Sequence, residues 1–179
     1  MHTNDLWYNT VFENDAKNAR LHKALKGIMN TENLSIRAKT FLAVEIFEAF
    51  CSAKGLNDVA IQEFCQYMKS LATASNLPDW DEQASNLAIT GLGDPIPADI
   101  IEADLINIIA CNIREVSASP MYGQHYPEET SRFLGNVVKL CNYSLTNSQI
   151  EIFGKHRSEA DGWGGCVSSE QLQKWKNVI

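Results

Sequence analysis

Two histidines, an aspartate and a cysteine in the second half of the chain are of types that could support nucleophilic catalysis. His125 lies in the turn-rich stretch SPMYGQHY, and His156, Asp161 and Cys166 lie in a polar, glycine-containing stretch after Gly154. A cysteine becomes a nucleophile when a histidine close in space takes its proton. One hypothesis is therefore a small cytosolic hydrolase or transferase with a Cys/His site, although neither a nucleophile elbow nor a cysteine-protease signature accompanies these residues.

Paired carboxylates could instead do acid and base chemistry or bind a divalent metal. Asp99 and Glu102 are three residues apart and would share a helix face, yet no Glu-x-x-His motif accompanies them. Residues 94–102 lack the alternating oxygen ligands and central glycine of a calcium loop. The cysteines show no CxxC spacing, and residues 163–166 have neither the lysine nor the glycine spacing of a phosphate-binding loop. We therefore expect no metal site and no cofactor.

The placement of charge is the most informative feature of the sequence. The chain has 179 residues and a formal net charge of −7. Residues 70–113 contain seven acidic side chains and no basic one, whereas the stretches before and after this segment are each neutral. A concentrated negative field speeds encounter with a positively charged partner. The segment predicts a recognition surface for a basic protein, formed by Asp79, Trp80, Asp81, Glu82, Asp94, Asp99, Glu102 and Asp104.

A more local explanation exists for the same carboxylates. Several of them lie at or near predicted helix starts, where a negative charge is favoured by the helix dipole. Capping accounts for carboxylates at those positions, but not for the absence of lysine and arginine from the whole segment. Both explanations remain open at this point.

Composition excludes some classes of partner and predicts the compartment. A pI near 5.1 argues against a nucleic-acid partner, which requires a clustered positive surface. No stretch is long and apolar enough for a membrane span, and residues 1–6 lack the features of a secretory signal. Five widely spaced cysteines do not suggest a disulfide framework, so we expect a reducing, cytoplasmic location. Four of them, Cys51, Cys65, Cys111 and Cys141, lie in apolar helical patterns and are expected to pack in the core.

Hydrophobic periodicity predicts the elements that must position these residues. Apolar residues recur at helical spacing almost throughout, and clean period-two alternation is missing. The expected fold is all-α: a single compact domain over residues 1–179, with seven or eight helices in an irregular bundle. The helix at 35–53 is apolar nearly all round, and the helix at 98–116 is strongly periodic, so we expect both to be central.

Glycine, proline and helix-capping residues predict the other helix boundaries. An amphipathic helix is expected at 5–29. Gly55 should end the central helix at 35–53. A helix capped at Asp79 should run to Thr90, and Pro95 or Pro97 should open the next one after a rigid turn. Residues 119–126 are expected to form a loop. Further helix starts are indicated at Asn57 or Asp58, at Pro127, at Thr146 with Gln149 as a capping box, and at Ser168 or Ser169.

Three hypotheses about function follow. The leading one is a non-enzymatic protein-binding domain with an acidic recognition surface, such as an immunity-type inhibitor that neutralises a basic toxin or nuclease. The second is the Cys/His hydrolase or transferase. The third is a helical module of a larger complex, which an exposed apolar patch would indicate.

Overall fold

The structure, a computed structural model, describes residues 31–97, 99–124, 126–156 and 162–179. These residues contain seven α-helices, one short 3₁₀-helix and no β-strand, which confirms the all-α prediction. The helix predicted at 5–29 lies outside the described residues. The α-helices are α1 (Ile36–Lys54), α2 (Val59–Ser70), α3 (Leu77–Ala84), α4 (Ala103–Tyr122), α5 (Pro127–Leu140), α6 (Asn147–Gly154) and α7 (Ser169–Trp175), with the 3₁₀-helix at Leu71–Thr73.

Helix α1 is the central element, as its apolar circumference predicts. Every residue from Ile36 to Phe47 is buried, and the helix contacts α2, α4, α5 and α6. Ser35 caps its start by accepting a hydrogen bond from the Ala38 backbone N–H. Gly55 ends it with a φ of 70°, in the left-handed region that favours glycine.

Helix α4 is the second central helix, but its bounds differ from the predicted 98–116. It begins at Ala103 and continues through Pro120 to Tyr122, so part of the predicted loop at 119–126 is helical. A proline inside a helix loses one backbone hydrogen bond. Burial of Val116, Ala118 and Pro120 against the rest of the protein offsets this loss near the end of the helix.

The segment between α3 and α4 is less helical than its sequence predicts. Helix α3 is capped by Asn76 rather than Asp79 and ends at Ala84, not Thr90. Residues 85–97 and 99–102 form turns, bends and irregular backbone, so neither Pro95 nor Pro97 opens a helix. The physical reason is tertiary: Ile89 is fully buried, and Gly91, with a φ of 69°, brings the backbone against α4.

One hydrophobic core joins residues from all seven helices. The short C-terminal helix α7 is anchored by Trp175, which is 0% exposed and lies 5.0 Å from the ring centroid of Phe153 and 5.4 Å from that of Phe41. Aromatic pairs at this spacing are favourable beyond their buried area. The prediction of a single domain over the whole chain stays a prediction.

Candidate functional site

Asp81 and Arg114 form an ion pair inside the protein. Their side chains are 6% and 2% exposed, and the Arg114 guanidinium also donates to the Asp81 backbone carbonyl over 3.2 Å. The Tyr122 hydroxyl donates to the second Asp81 carboxylate oxygen and joins the end of α4 to α3. This hydrogen bond to a carboxylate raises the pKa of Tyr122 above its ordinary value.

Trp80, the neighbour of Asp81, is also internal. Its ring stacks on Tyr67 at 5.5 Å between centroids, and the Arg114 guanidinium lies 5.3 Å from the centre of the Trp80 ring. The indole N–H donates to Ser70 Oγ over 3.0 Å. The structure therefore removes Trp80 and Asp81 from the predicted partner surface, because both side chains are occupied within the fold.

Glu102 stays at the surface, but its charge is compensated. Lys54, at the end of α1, donates to both carboxylate oxygens of Glu102 at 2.6 and 2.9 Å. Both side chains are more than a third exposed, so the pair adds little stability. Its effect is to cancel one negative charge of the acidic segment.

Five carboxylates of the segment remain exposed and form no ion pair with any residue in the part of the chain that the structure describes. We call them the acidic face: Asp79, Glu82, Asp94, Asp99 and Asp104.

The five carboxylates of the acidic face lie on α3, in the loop before α4 and at the start of α4. Asp79 and Glu82 belong to α3, which the Asp81–Arg114 pair joins to the second half of α4. Asp94 is held near the first half, where Asn107 donates to its backbone carbonyl over 3.0 Å. Asp104 lies in the first turn of α4, and Asp99 precedes that turn.

His156, a candidate catalytic residue in the Cys/His hypothesis, forms hydrogen bonds within the fold through both ring nitrogens. Its Nδ1 lies 2.7 Å from Ser35 Oγ, and its Nε2 lies 2.8 Å from the Gly165 carbonyl oxygen. Because a carbonyl only accepts, we assign the Nε2 hydrogen to this bond. The ring thus joins the start of α1 to the 162–167 loop, with both nitrogens engaged.

Cys166 is exposed, and its thiol donates to the Ala74 carbonyl over 3.5 Å rather than to a histidine. The structure brings the loop that contains Cys166 beside His156 without pairing the two side chains. His125 and Asp161 lie outside the described residues, so their part in the Cys/His hypothesis stays a prediction.

Three of the cysteines expected in the core are buried there: Cys51, Cys65 and Cys141. Burial raises the pKa of Cys51 to about 12, that of Cys141 to about 12, and that of Cys65 well above its ordinary value. Cys111 is only half-buried, and burial also raises its pKa. A thiol in this state remains protonated and is a poor nucleophile.

An open groove between α1 and α2 holds two of these thiols. Its volume is about 180 Å³, and Cys51, Cys65, Glu48, Leu56 and Ile61 are among the residues that line it. The described ranges contain no group of three or more His, Cys, Asp or Glu side chains placed to hold a metal ion. The groove therefore offers apolar contact but no activated nucleophile.

A buried lysine is a feature that the sequence reasoning missed. Lys39 lies in the middle of α1 and is 0% exposed. It donates to Thr130 Oγ1 over 2.7 Å and to the Pro127 carbonyl over 3.0 Å, at the start of α5. Burial lowers the pKa of Lys39 to about 8, although the negative charges of Glu32 and Glu128 act to raise it. The available signal was a pair of cations, Arg37 and Lys39, in the first turns of a helix that is apolar nearly all round.

Comparison of the chain with family models, curated proteins and solved structures finds no match to any of them. In the described part of the chain, no helix combines the length and apolar character needed to cross a membrane.

Proposed function

We propose that the protein is a non-enzymatic protein-binding domain that engages a basic protein through the acidic face. The observation that carries this proposal is that most carboxylates of residues 70–113 are left without an ion-pair partner among the described residues. Arg114 and Lys54 compensate two of the seven carboxylates in residues 70–113, and the remaining five are exposed. Five exposed carboxylates that no described cation neutralises present a negative field to any approaching molecule.

The field favours a protein partner with a positive surface over a nucleic acid. Phosphate backbones carry the same sign of charge as the acidic face and are repelled by it. Surface carboxylates act chiefly on the association rate, and their effect is screened by salt over a distance of about 10 Å at 0.1 M. Binding should therefore weaken steeply as ionic strength rises.

The use that we propose is neutralisation of a cationic enzyme such as a toxin or nuclease, as an immunity-type inhibitor does. Such an inhibitor needs a rigid surface and complementary charge, and it needs no chemistry of its own. The unreactive buried thiols and the structural hydrogen bonds of His156 agree with that role. We also propose a cytoplasmic location, because all five cysteines are free thiols.

The test is affinity capture from a lysate of the source cells with two variants of equal net charge. One variant converts the five residues of the acidic face to their amides. The matched control converts five exposed glutamates elsewhere to glutamine, namely Glu32, Glu63, Glu128, Glu151 and Glu170.

We expect the unaltered chain and the control to retain the same basic protein, and the acidic-face variant to lose it. Affinity for the purified partner should then be measured over a range of salt concentrations. Retention of the same proteins by both variants, with the same salt dependence, would reject the proposal.

A further inference from the structure

The outward side of α4 carries apolar as well as acidic residues. Asp104, Ile108 and Glu115 are four and seven residues apart and share the side that faces away from the core residues Ile106 and Ile113. Ile108 is 50% exposed in the middle of this row. An isoleucine half in water between two carboxylates is not required by the packing of α4 itself.

The loop before α4 runs beside this row. Asn107 donates to the Asp94 carbonyl, and the Gly91 backbone lies against Ala110 and Arg114. These contacts hold Leu92, which is 55% exposed, next to the helix. Asp94 in the loop and Glu115 one turn further along α4 both act electrostatically on the Cys111 thiol.

The other side of the row is bounded by α5, where Asn136 donates to Asn112 over 2.8 Å. Ile101, which is 70% exposed, lies just before the first turn of α4. We call the resulting surface the α4 strip: exposed Leu92, Ile101 and Ile108, with the carboxylates of Asp94, Asp99, Asp104 and Glu115 around them.

We propose that the α4 strip is the docking surface for a basic amphipathic helix of the partner. The inference rests on the proposed function and specifies its partner. A helix with apolar residues on one side and lysine or arginine on the flanks would cover Leu92 and Ile108 and place its cations beside the carboxylates.

Charge also decides against a second copy of this chain as the occupant. Two α4 strips brought face to face would oppose carboxylates with carboxylates, which costs free energy, whereas a cationic helix is attracted. The four charged residues of the strip are all acidic, so a cationic partner removes the apolar side chains from water with attraction rather than repulsion.

The probe is a labelled synthetic helix of roughly 18 residues, five turns long, with leucines on one face and lysines on the other. Its control is a peptide of the same composition in an order that scatters the leucines around the helix. Binding to the full chain is measured by fluorescence anisotropy. We expect the amphipathic peptide to bind at least about tenfold more tightly than the scattered one, since burial of a single additional leucine is sufficient for a difference of this size.

Variants of the chain locate the binding. Leu92→Ser with Ile108→Ser should weaken binding of the amphipathic peptide at least about tenfold. Val59→Ser is the control, because Val59 is 66% exposed and belongs to α2 rather than to α4 or the loop before it. Circular dichroism and urea unfolding establish that each variant is folded.

Equal binding of the two peptides, or unchanged binding by the Leu92→Ser, Ile108→Ser variant, would overturn the docking inference. Self-association of the unaltered chain that this double variant abolishes would assign the strip to a second copy and also overturn it. The basic protein captured from the lysate separates the two proposals. Its loss with the acidic-face variant but not with the serine variant retains the proposed function and rejects the docking mode.

Discussion

The carboxylate of Asp81 on α3 is paired with the guanidinium of Arg114 on α4, and both side chains are less than a tenth exposed. The pair joins a short helix to a central one across 33 residues of sequence, and Tyr122 adds a second contact to the same carboxylate. Charges withdrawn from water carry a large desolvation cost, which their mutual attraction offsets only while both are present.

Removing one member of this pair should destabilise the protein strongly. Asp81→Ala leaves the Arg114 guanidinium buried without its counter-ion, and the free energy of unfolding in urea should fall by about 3–5 kcal/mol. Asp79→Ala in the same helix is the control, since Asp79 is exposed, and it should cost less than about 1 kcal/mol. Equal losses in the two variants would contradict the structural role of the pair. Combining Asp81→Ala with Arg114→Met should recover part of the loss, because no charge is then left unpaired.

Two glycines in one loop should respond differently to alanine. At Gly91 an added Cβ would lie 2.7 Å from Arg114 Cβ and 2.9 Å from the Ala110 carbonyl oxygen, whereas at Gly93 nothing lies within 4 Å. Both have positive φ, so each alanine incurs about 1–2 kcal/mol of backbone strain. Gly91→Ala should lose roughly 1–3 kcal/mol more through overpacking against α4. Urea midpoints of the two variants test this, and equal midpoints would show that the loop does not pack closely on α4.

Lys39 should give the protein a stability that rises with pH just above neutrality. Its pKa in the folded protein is about 8, below the ordinary 10.5, so the unfolded chain binds more protons from about pH 7.5 upwards. The free energy of unfolding should therefore increase between about pH 7.5 and 9. Above the ordinary thiol pKa of 9.0 the raised pKa values of Cys51 and Cys141 act in the opposite direction, because the unfolded chain then loses protons first.

The variant Lys39→Met isolates the contribution of Lys39. Methionine keeps a long side chain in the buried site but cannot titrate, so the rise in stability across this window should disappear. Urea unfolding at several pH values gives the slope for both chains. An unchanged slope in Lys39→Met would assign the pH dependence to other groups.

Thiol labelling should distinguish Cys166 from the other four cysteines. Cys166 is exposed, whereas Cys51, Cys65 and Cys141 are buried with raised pKa values and Cys111 is half-buried with a raised pKa. Because the thiolate is the reactive species, iodoacetamide should modify one thiol rapidly in the native protein and all five after unfolding. Mass spectrometry identifies the modified residue, and Cys166→Ser should abolish the rapid phase. Rapid modification of Cys51, Cys65 or Cys141 would show that the core opens at that position.

Local signals in the sequence were sufficient for most helix boundaries. Thr146 forms the predicted capping box with Gln149, and α6 ends at Gly154 as expected. Asp58, Pro127 and Ser168 open α2, α5 and α7 at the predicted places. The caps depend on hydrogen bonds within one turn, and Pro127 acts through its own fixed φ, so neighbouring residues contain the information.

Only the tertiary structure decided which carboxylates are paired within the protein and which remain exposed. Sequence determined that residues 70–113 would carry seven negative charges and no positive one. It did not distinguish Asp81 from Glu82, which are adjacent in α3 yet point in directions about 100° apart, one towards Arg114 and the other into water. Partners such as Arg114 and Lys54 come from distant parts of the chain, and only packing of the helices brings them to Asp81 and Glu102. The sequence thus determined the amount of negative charge, and the fold decided which carboxylates remain to meet another molecule.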